Sequence, residues 1–443
     1  MTATRTETRS VLEAKFDDHT ARVVVVGLGY VGLPLAVEVA GAGLKVVGFE
    51  ISREKVETVN AGRSDIDDIS DAQLAPLVKS GKLAATLDSK ALADADCVVI
   101  CVPTPLSKTK DPDVSYIVAA VESVAAHLHR EMLVVLESTT YPGTTEELIR
   151  PKLEASGLKA GVDFYLAFSP ERVDPGNTQY MIKNTPRIVG GATPKCTQVA
   201  QAFYEVFLDK VVPVSSTQAA ETVKLLENTF RSVNIGLVNE VALMCDRLGL
   251  DVWEIIEAAA TKPFGFYPFY PGPGLGGHCI PIDPHYWSWK LRSLNYYARF
   301  IELAGDINAR MPEYITDRIA RVLNEDQKSL RGAKILVLGV AYKRDISDVR
   351  ESPSLDVIHL LQGRGTKVEY ADPHVPSIRM EDGTEMRAVE LTPERIAAAD
   401  CVVVLTDHTA FDYTDICSRA QMVFDSRNAT KKVPKGTGRV WRL

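Results

Sequence analysis

Arg22-Val23-Val24-Val25-Val26-Gly27-Leu28-Gly29-Tyr30-Val31-Gly32 decides the fold, together with the helical spacing of Leu35, Val39 and Ala42 and the run Lys45-Val46-Val47-Gly48-Phe49-Glu50 that follows. The β-branched runs read as strands, because valine packs well on a pleated surface and loses side-chain freedom in a helix. The order is therefore strand, glycine turn, helix, strand, with an acid at the end. Gly27 permits the tight turn, Gly29 lets a pyrophosphate approach the backbone, and Gly32 lets the helix pack on the strand. The helix start offers unpaired amides to phosphate. Glu50 is placed to accept hydrogen bonds from ribose hydroxyls and disfavours a 2′-phosphate, which selects NAD over NADP. Triplet, flanking elements and acid occur together, so the stretch predicts a dinucleotide-binding unit. The same residues also fit a sheet of this kind that has lost its cofactor.

Further strand–helix units follow. Asp96 to Val102 reads as a buried parallel-type strand running into Pro103-Thr104-Pro105. Leu133 to Glu137 is another, ending at Ser138-Thr139-Thr140-Tyr141-Pro142-Gly143-Thr144. Residues at the carboxyl ends of such strands face the ligand in open α/β sheets. Thr144 before Glu146 and Glu147 also fits a helix cap. Phe164 to Phe168 is strand-like and leads into the polar loop Ser169 to Asn177, with Glu171, Arg172 and Asp174. From about Gln218 to Leu248 the pattern predicts one long helix, of a length that commonly joins two domains or forms a dimer face. Glu221, Lys224 and Asn228 share one side of it. A lysine there supplies positive charge to a developing oxyanion if that side lines a site; otherwise the row is simply solvated. A second helix is expected after Asp251, and a third from about Tyr286 to Arg310.

A second strand–turn–helix series starts at Ala333 to Tyr342. Its turn lacks the glycine triplet, so no second dinucleotide is expected there. Lys343 and Arg350 instead offer charge to a phosphate, or form a surface salt-bridge network. Strands at Val368–Tyr370, Cys401–Leu405 and Met422–Phe424 complete a second sheet. The expected fold class is α/β, with two Rossmann-like doubly wound domains joined by the long central helix and a helical middle.

Between the series lies Tyr270-Pro271-Gly272-Pro273-Gly274-Leu275-Gly276-Gly277-His278-Cys279-Ile280-Pro281-Ile282-Asp283-Pro284. Glycines and prolines at this density exclude regular helix or central strand. The segment reads as a shaped loop whose glycines let backbone amides approach a ligand and whose centre holds a thiol. Asp283 stands four residues beyond Cys279. A lone cysteine in such a chain is more often a small buried hydrophobe; the setting is what singles out Cys279. Cys97, Cys101 and Cys401 lie in apolar runs and read as core.

The chain has 443 residues, 46% hydrophobic and 24% charged, with a formal net charge of -8. That length predicts two or three domains, and the negative charge disfavours nucleic acid as a partner. Seven cysteines without metal-ligand or framework spacing predict no metal site and a reducing, cytoplasmic setting. No window reaches the length of a membrane span. The first twenty residues, which are polar, are expected to form a flexible arm.

In chain order, Gly27 to Pro34, Pro103-Thr104-Pro105, Ser138-Thr139, Ser169-Pro170-Glu171-Arg172, Glu221-x-x-Lys224-Leu225-x-x-Asn228, Gly276-Gly277-His278-Cys279-Ile280-Pro281-x-Asp283 and Lys343 to Ser352 resemble the UDP-sugar 6-dehydrogenases. The resemblance covers almost everything beyond the arm at 1–20. It implies an NAD-binding Rossmann domain at 21–213, a central helical dimerisation domain with the cysteine loop at 214–318, and a UDP-sugar-binding domain at 319–443. It implies oxidation of a sugar C6 alcohol to an acid with two NAD and one water, through a thiohemiacetal and a thioester on Cys279. Lys224 and Asn228 would then stabilise the oxyanion, and Asp283 would serve proton transfer or water activation, with Thr139 and Glu171 assisting. NAD would be held by Gly27, Gly29, Tyr30, Val31, Gly32, Glu50, Arg53, Pro103, Thr104, Ser138 and Thr139. The sugar nucleotide would be held by Glu171, Arg172, Val173, Lys224, Asn228, Gly276, Lys343 and Arg350. UDP-glucose members usually carry tyrosine or serine before the cysteine and lysine before the aspartate; His278 and Ile282 stand there instead. This form, with Ile282 to Trp287, most resembles UDP-N-acetylglucosamine 6-dehydrogenases, with the UDP-N-acetylmannosamine enzymes next. A homodimer or higher homo-oligomer is implied as well. The family's second acid aligns near Pro175, where Asp174 is the candidate substitute.

Overall fold

The computed structural model describes residues 9–66, 68–105, 111–173, 177, 179–380 and 382–443. The chain forms two compact units: residues through Glu227 with His285–Asn295, and Asn228–Pro284 with Tyr296–Leu443. Asp174 and Pro175 lie outside the described residues.

The first unit runs α1 (Val11–Asp17), β1 (Arg22–Val26), α2 (Gly32–Gly41), β2 (Lys45–Phe49), α3 (Arg53–Asn60), α4 (Asp71–Lys79), β3 (Leu83–Thr86), β4 (Cys97–Ile100), α5 (Ser115–Ala125), β5 (Leu133–Leu136), α6 (Arg150–Glu154), β6 (Tyr165–Phe168), β7 (Arg187–Gly191), α7 (Pro194–Glu205) and β8 (Val211–Val214). Its eight strands lie in the order β3-β2-β1-β4-β5-β6-β7-β8. Pairing is parallel except between β6 and β7. One apolar cluster, with Val23, Val25 and Leu35, covers one face, and another, with Val24, Val26 and Ile117, covers the other. Burial on both faces explains why β1, β4 and β5 are unbroken apolar runs rather than alternating ones.

Residues 11–17 correct the expectation of a flexible arm through residue 20. Ser10 and Glu13 form a reciprocal capping box on α1, and Phe16 is fully buried with its ring 5.4 Å from that of Phe203 on α7. The signal was present as Ser-x-x-Glu with apolar residues at Leu12 and Phe16, one turn apart.

α8 (Thr217–Leu248) matches the expected long helix, and the boundary between the units falls within it. There follow α9 (Val252–Ala260), α10 (Asp283–Arg292), α11 (Arg299–Glu325), β9 (Lys334–Leu338), α12 (Pro353–Gly363), β10 (Lys367–Ala371), β11 (Ser377–Arg379), β12 (Glu385–Arg387), α13 (Pro393–Ala398), β13 (Cys401–Val404), α14 (Tyr413–Arg419), β14 (Val423–Asp425) and β15 (Val440–Arg442). The expected single helix from Tyr286 to Arg310 is instead α10 and α11, separated by residues 293–298, where Asn295 adopts a left-handed φ of 59°. The second sheet is parallel in the order β10-β9-β13-β14-β15, also covered on both faces. Among the described residues, no helix is long and apolar enough to cross a membrane.

The glycine turn after β1 is fixed by contact as well as conformation. Gly27 has φ 89°, and a Cβ there would stand 2.7 Å from the Cys101 carbonyl oxygen; one on Gly32 would overlap the Gly27 carbonyl. Gly32→Ala is expected to destabilise the protein by about 3 kcal/mol or more and to weaken NAD binding at least about tenfold, by calorimetric melting and NAD titration. Unchanged melting and affinity would refute this reading of the turn.

Candidate active site

The first unit collects polar groups at the carboxyl ends of β1, β4, β5 and β6. Glu50, just past β2, accepts from the Leu28 amide at 2.9 Å, from Ile51 at 2.8 Å and from Ser52 at 3.1 Å. These bonds fix the carboxylate against the glycine turn. A Cβ on Gly29 would meet nothing within 4 Å, so the space above that residue is open. The first residue before α2 is Val31, which offers no side-chain cap, so the helix start keeps amides for an anion. Tyr30 is half exposed and Arg53 opens α3. These residues fit a dinucleotide.

At the ends of β4 and β5, the Ser138 hydroxyl accepts from the Val102 amide at 2.9 Å and donates to the Val102 carbonyl at 2.8 Å. Ser138 thus clamps the two strand ends. Pro103 is exposed, and the Thr104 carbonyl accepts from the Tyr286 hydroxyl. Lys224 is buried and its Nζ donates to the Thr139 hydroxyl at 2.6 Å. Thr144 does not cap the helix after it: its hydroxyl donates to the Tyr141 carbonyl. The amides there go to Glu221 of α8, which takes Gly143 at 2.5 Å and Thr145 at 3.0 Å, with the Thr145 hydroxyl at 2.7 Å. Burial pushes Glu221 up to about 7, against these three bonds that favour its anion.

Glu171 accepts from the amides of Arg172 and Val173, both at 2.7 Å, and from Arg187 Nη2 at 2.8 Å. Burial draws its carboxyl upward, but the Arg187 charge and the two amides outweigh this and hold it below its ordinary value. The Arg172 guanidinium is forked onto Glu227, at 2.6 and 3.1 Å. Arg187, with Glu137 behind it, escaped the sequence reading. A charged residue opening a strand ordinarily points to solvent, yet Arg187 is only 3% exposed.

In the second unit, Asn228 Nδ2 donates to Asp283 Oδ2 at 2.5 Å, and both residues are buried. Asp283 opens α10, and its amide donates to the Cys279 carbonyl at 2.8 Å. Cys279 is exposed, whereas the six other cysteines are buried. The loop's glycines serve packing more than the expected ligand approach. A Cβ on Gly276 or Gly277 would press on Tyr342, at 2.6 and 2.8 Å, and the Gly277 amide donates to the Arg350 carbonyl at 3.1 Å. The cysteine loop is thereby tied to the segment carrying Lys343 and Arg350. Arg350 itself forks onto Asp348, and Lys343 is half-buried. Two arginines that the sequence reading did not single out, Arg344 and Arg427, both reach Asp407. Burial and the neighbouring Arg344 charge draw Arg427 below its ordinary value, so an added anion is favoured there.

Asp345, His374 and His408 bring ligand-type atoms within 4.8 Å of one another. The geometry is that of a hydrogen-bond network. His408 Nδ1 accepts the Asp345 amide at 2.9 Å, so Nε2 carries the proton and donates to Asp372 at 3.0 Å. Both ring nitrogens are used, and a cation would have to displace the amide.

Three family models match the chain: the UDP-glucose/GDP-mannose dehydrogenase NAD-binding domain at residues 21–208, the central domain at 218–310 and the UDP-binding domain at 336–432. The chain is 37% identical to the UDP-N-acetyl-D-mannosamine dehydrogenase of Pyrococcus horikoshii, over 94% of this chain and 97% of that one. It is 34% identical to a UDP-N-acetyl-D-glucosamine 6-dehydrogenase of Pseudomonas aeruginosa, over 88% and 91%. The solved structure of the Pyrococcus horikoshii UDP-D-ManNAc dehydrogenase superposes with a TM-score of 0.86 at 36% identity, covering 95% of this chain and 99% of that one. The fold and these matches define an NAD-dependent oxidoreductase acting on UDP-sugars. The chain belongs to the UDP-glucose/GDP-mannose dehydrogenase family.

Glu221 generates a pH prediction. A carboxyl whose folded-state value is raised binds its proton more tightly when folded, so its contribution is complete below the ordinary value of 4.5 and is lost as pH rises through about 7. That loss is on the order of 3 kcal/mol. Glu221→Gln should therefore show a smaller fall in melting temperature than the parent protein between about pH 5 and about pH 8. Parallel melting curves across that range would contradict it.

Proposed function

We propose that the protein is a UDP-N-acetylhexosamine 6-dehydrogenase that oxidises the C6 alcohol to a carboxylate through a covalent intermediate on Cys279, with UDP-N-acetylglucosamine as substrate. The observation that carries this reading is the buried Asn228–Asp283 hydrogen bond beside an exposed cysteine in a glycine- and proline-rich loop. Bound NAD takes up the hydride in each of the two oxidations. The Cys279 thiolate adds to the aldehyde carbon, and the new oxyanion is met by Lys224 and by the Asn228 amide. Loss of the second hydride leaves a thioester. Water, oriented by Asp283, attacks it, the carbon–sulfur bond breaks, and the thiol and the acid are released. Tethering the aldehyde keeps it from escaping between the oxidations. Thr139 holds the lysine, and Glu171 accepts hydrogen bonds from substrate or water. Lys343, with Arg344 and Arg427, supplies charge for the diphosphate.

The form of the cysteine loop supports the glucosamine sugar. Identity of 37% to the mannosamine enzyme against 34% to the glucosamine enzyme favours the C2 epimer as the second reading. The two sugars differ at a single stereocentre, so a few contacts decide.

A homodimer is part of the proposal. Phe230, Leu237 and Met244 are spaced seven apart on α8 and exposed, and Phe300 and Leu303 on α11 are exposed as well. An apolar stripe of this spacing suits the same stripe of a second copy. Leu237→Glu should convert a dimer to a monomer by light scattering; a monomeric parent protein would sink the proposal.

The substrate test follows NADH formation with UDP-N-acetylglucosamine, UDP-N-acetylmannosamine and UDP-glucose. Two NADH per UDP-N-acetylglucosamine, with little from the others, is the expected result. Preference for the mannosamine sugar would overturn the substrate while keeping the chemistry. Cys279→Ala should abolish acid formation while UDP-sugar binding persists, and Lys224→Ala should lower kcat about a hundredfold. Acid formation by the alanine variant at Cys279 would rule out the covalent route.

A further inference from the structure

Glu171 reaches its position through a chain of buried groups that no step of the proposed reaction uses. Tyr204 on α7 donates its hydroxyl to Glu137 Oε1. Glu137 Oε2 lies 3.5 Å from Arg187 Nη1, which also donates to the Pro170 carbonyl at 3.1 Å. Arg187 Nη2 ends the chain on Glu171 Oε2 at 2.8 Å, and the Arg187 guanidinium lies 5.4 Å from the centre of the Tyr204 ring. Glu137, Arg187 and Tyr204 are almost wholly buried. A guanidinium forked between two carboxylates and set against a ring has one orientation open to it.

On Glu171, Oε1 is occupied by two amides and Oε2 by the guanidinium. An ionised carboxylate has about four acceptor positions, so among the described residues one remains, on Oε2. We propose that Arg187 is a positioning residue of the dehydrogenase site: it fixes the direction in which Glu171 presents that last lone pair, and Glu137 with Tyr204 fixes Arg187. The inference rests on the proposed function in that Glu171 faces substrate or water. It also divides the labour between two neighbouring acids. Glu171, held below its ordinary value as an anion, orients a hydrogen bond. Burial pushes Glu137 up to about 7, against the pull of the Arg187 charge.

The test compares Arg187→Lys, Arg187→Met and Glu137→Gln, each checked for folding by melting and for NAD binding by titration. Arg187→Met should lower kcat by about 10- to 100-fold and shift the acidic limb of the kcat–pH profile upward by about one unit, with KM for NAD within about twofold. Arg187→Lys should recover only part of kcat and leave a smaller upward shift of the limb, since it restores the charge without the fork. Glu137→Gln should leave the acidic limb in place, because Glu137, raised to about 7, is already protonated where Glu171 titrates. A merely structural role lowers the melting temperature and the active fraction equally at every pH. An unmoved limb in both arginine variants, or a limb displaced as far in Glu137→Gln as in Arg187→Met, would overturn the inference. If Arg187→Met does not fold, Arg187→Lys still carries the upward shift, with Glu137→Gln as the unshifted control. If the parent protein turns over no UDP-sugar, the proposed function has failed independently. The Glu171 carboxyl ¹³C resonance, assigned with Glu171→Gln, then reads its ionisation in parent protein and Arg187→Lys. A titration displaced upward in Arg187→Lys supports the positioning role, and coincident titrations refute it.

Discussion

A parallel sheet covered on both faces has no solvated side. In the first unit, β1, β4 and β5 bury essentially every residue, so polar chemistry is confined to the strand ends. The chain obeys this constraint closely. The glycine turn, Ser138, Thr139 and Glu171 all follow the last residue of a strand, and Lys224 reaches the same edge from α8. Each polar group entering there loses water and must find a partner. That requirement accounts for features otherwise unconnected. Ser138 clamps β4 to β5, Glu221 supplies the cap that Thr144 does not, and Arg187 sits between two carboxylates.

Much of this architecture is legible in the residues. Continuous β-branched runs identify the strands, and the glycine triplet with Glu50 identifies the first βαβ unit. The long helix expected at 218–248 is found at Thr217–Leu248. Legibility fails where local signals are diluted or where partners are distant. A largely polar stretch conceals the capping box of α1, although its pattern is present. The break between α10 and α11 carries neither glycine nor proline, so periodicity runs through it. The Lys224–Thr139 and Asn228–Asp283 bonds join positions 85 and 55 residues apart. No local pattern brings such residues together; only the resemblance groups them. The glycines of the cysteine loop look in sequence like room for a ligand, whereas they make room for Tyr342, whose ring belongs to a segment more than sixty residues away in the chain.

The two sheets also show how one topological position acquires different uses. Glu50 follows the second strand of the first sheet and accepts from the turn amide of Leu28. Asp372 follows β10 of the second and accepts from the turn amide of Val340 at 2.8 Å. The parallel ends with the remaining acceptor positions. Asp372 takes the His374 and Val375 amides on one oxygen and His408 on the other. Its capacity is filled from within the fold, whereas among the described residues Glu50 meets only neighbouring amides and retains capacity for a ribose. A dinucleotide therefore suits the first turn and not the second, a distinction that the glycine triplet marks and the acid's partners explain.

Charge separates the two edges further. In the first unit one guanidinium, Arg187, serves two carboxylates; in the second, one carboxylate, Asp407, serves two guanidiniums. The first arrangement carries an excess of negative charge and holds a proton near neutrality, which suits orienting hydroxyls and water. The second carries an excess of positive charge beside Lys343, which suits an anion. With a chain of formal net charge -8, long-range attraction does not gather a diphosphate to the protein, so its binding must come from local charges of this kind. Two arginines on one aspartate leave a cationic site incomplete, and a phosphate group supplies the missing charge with the geometry that guanidinium forks match.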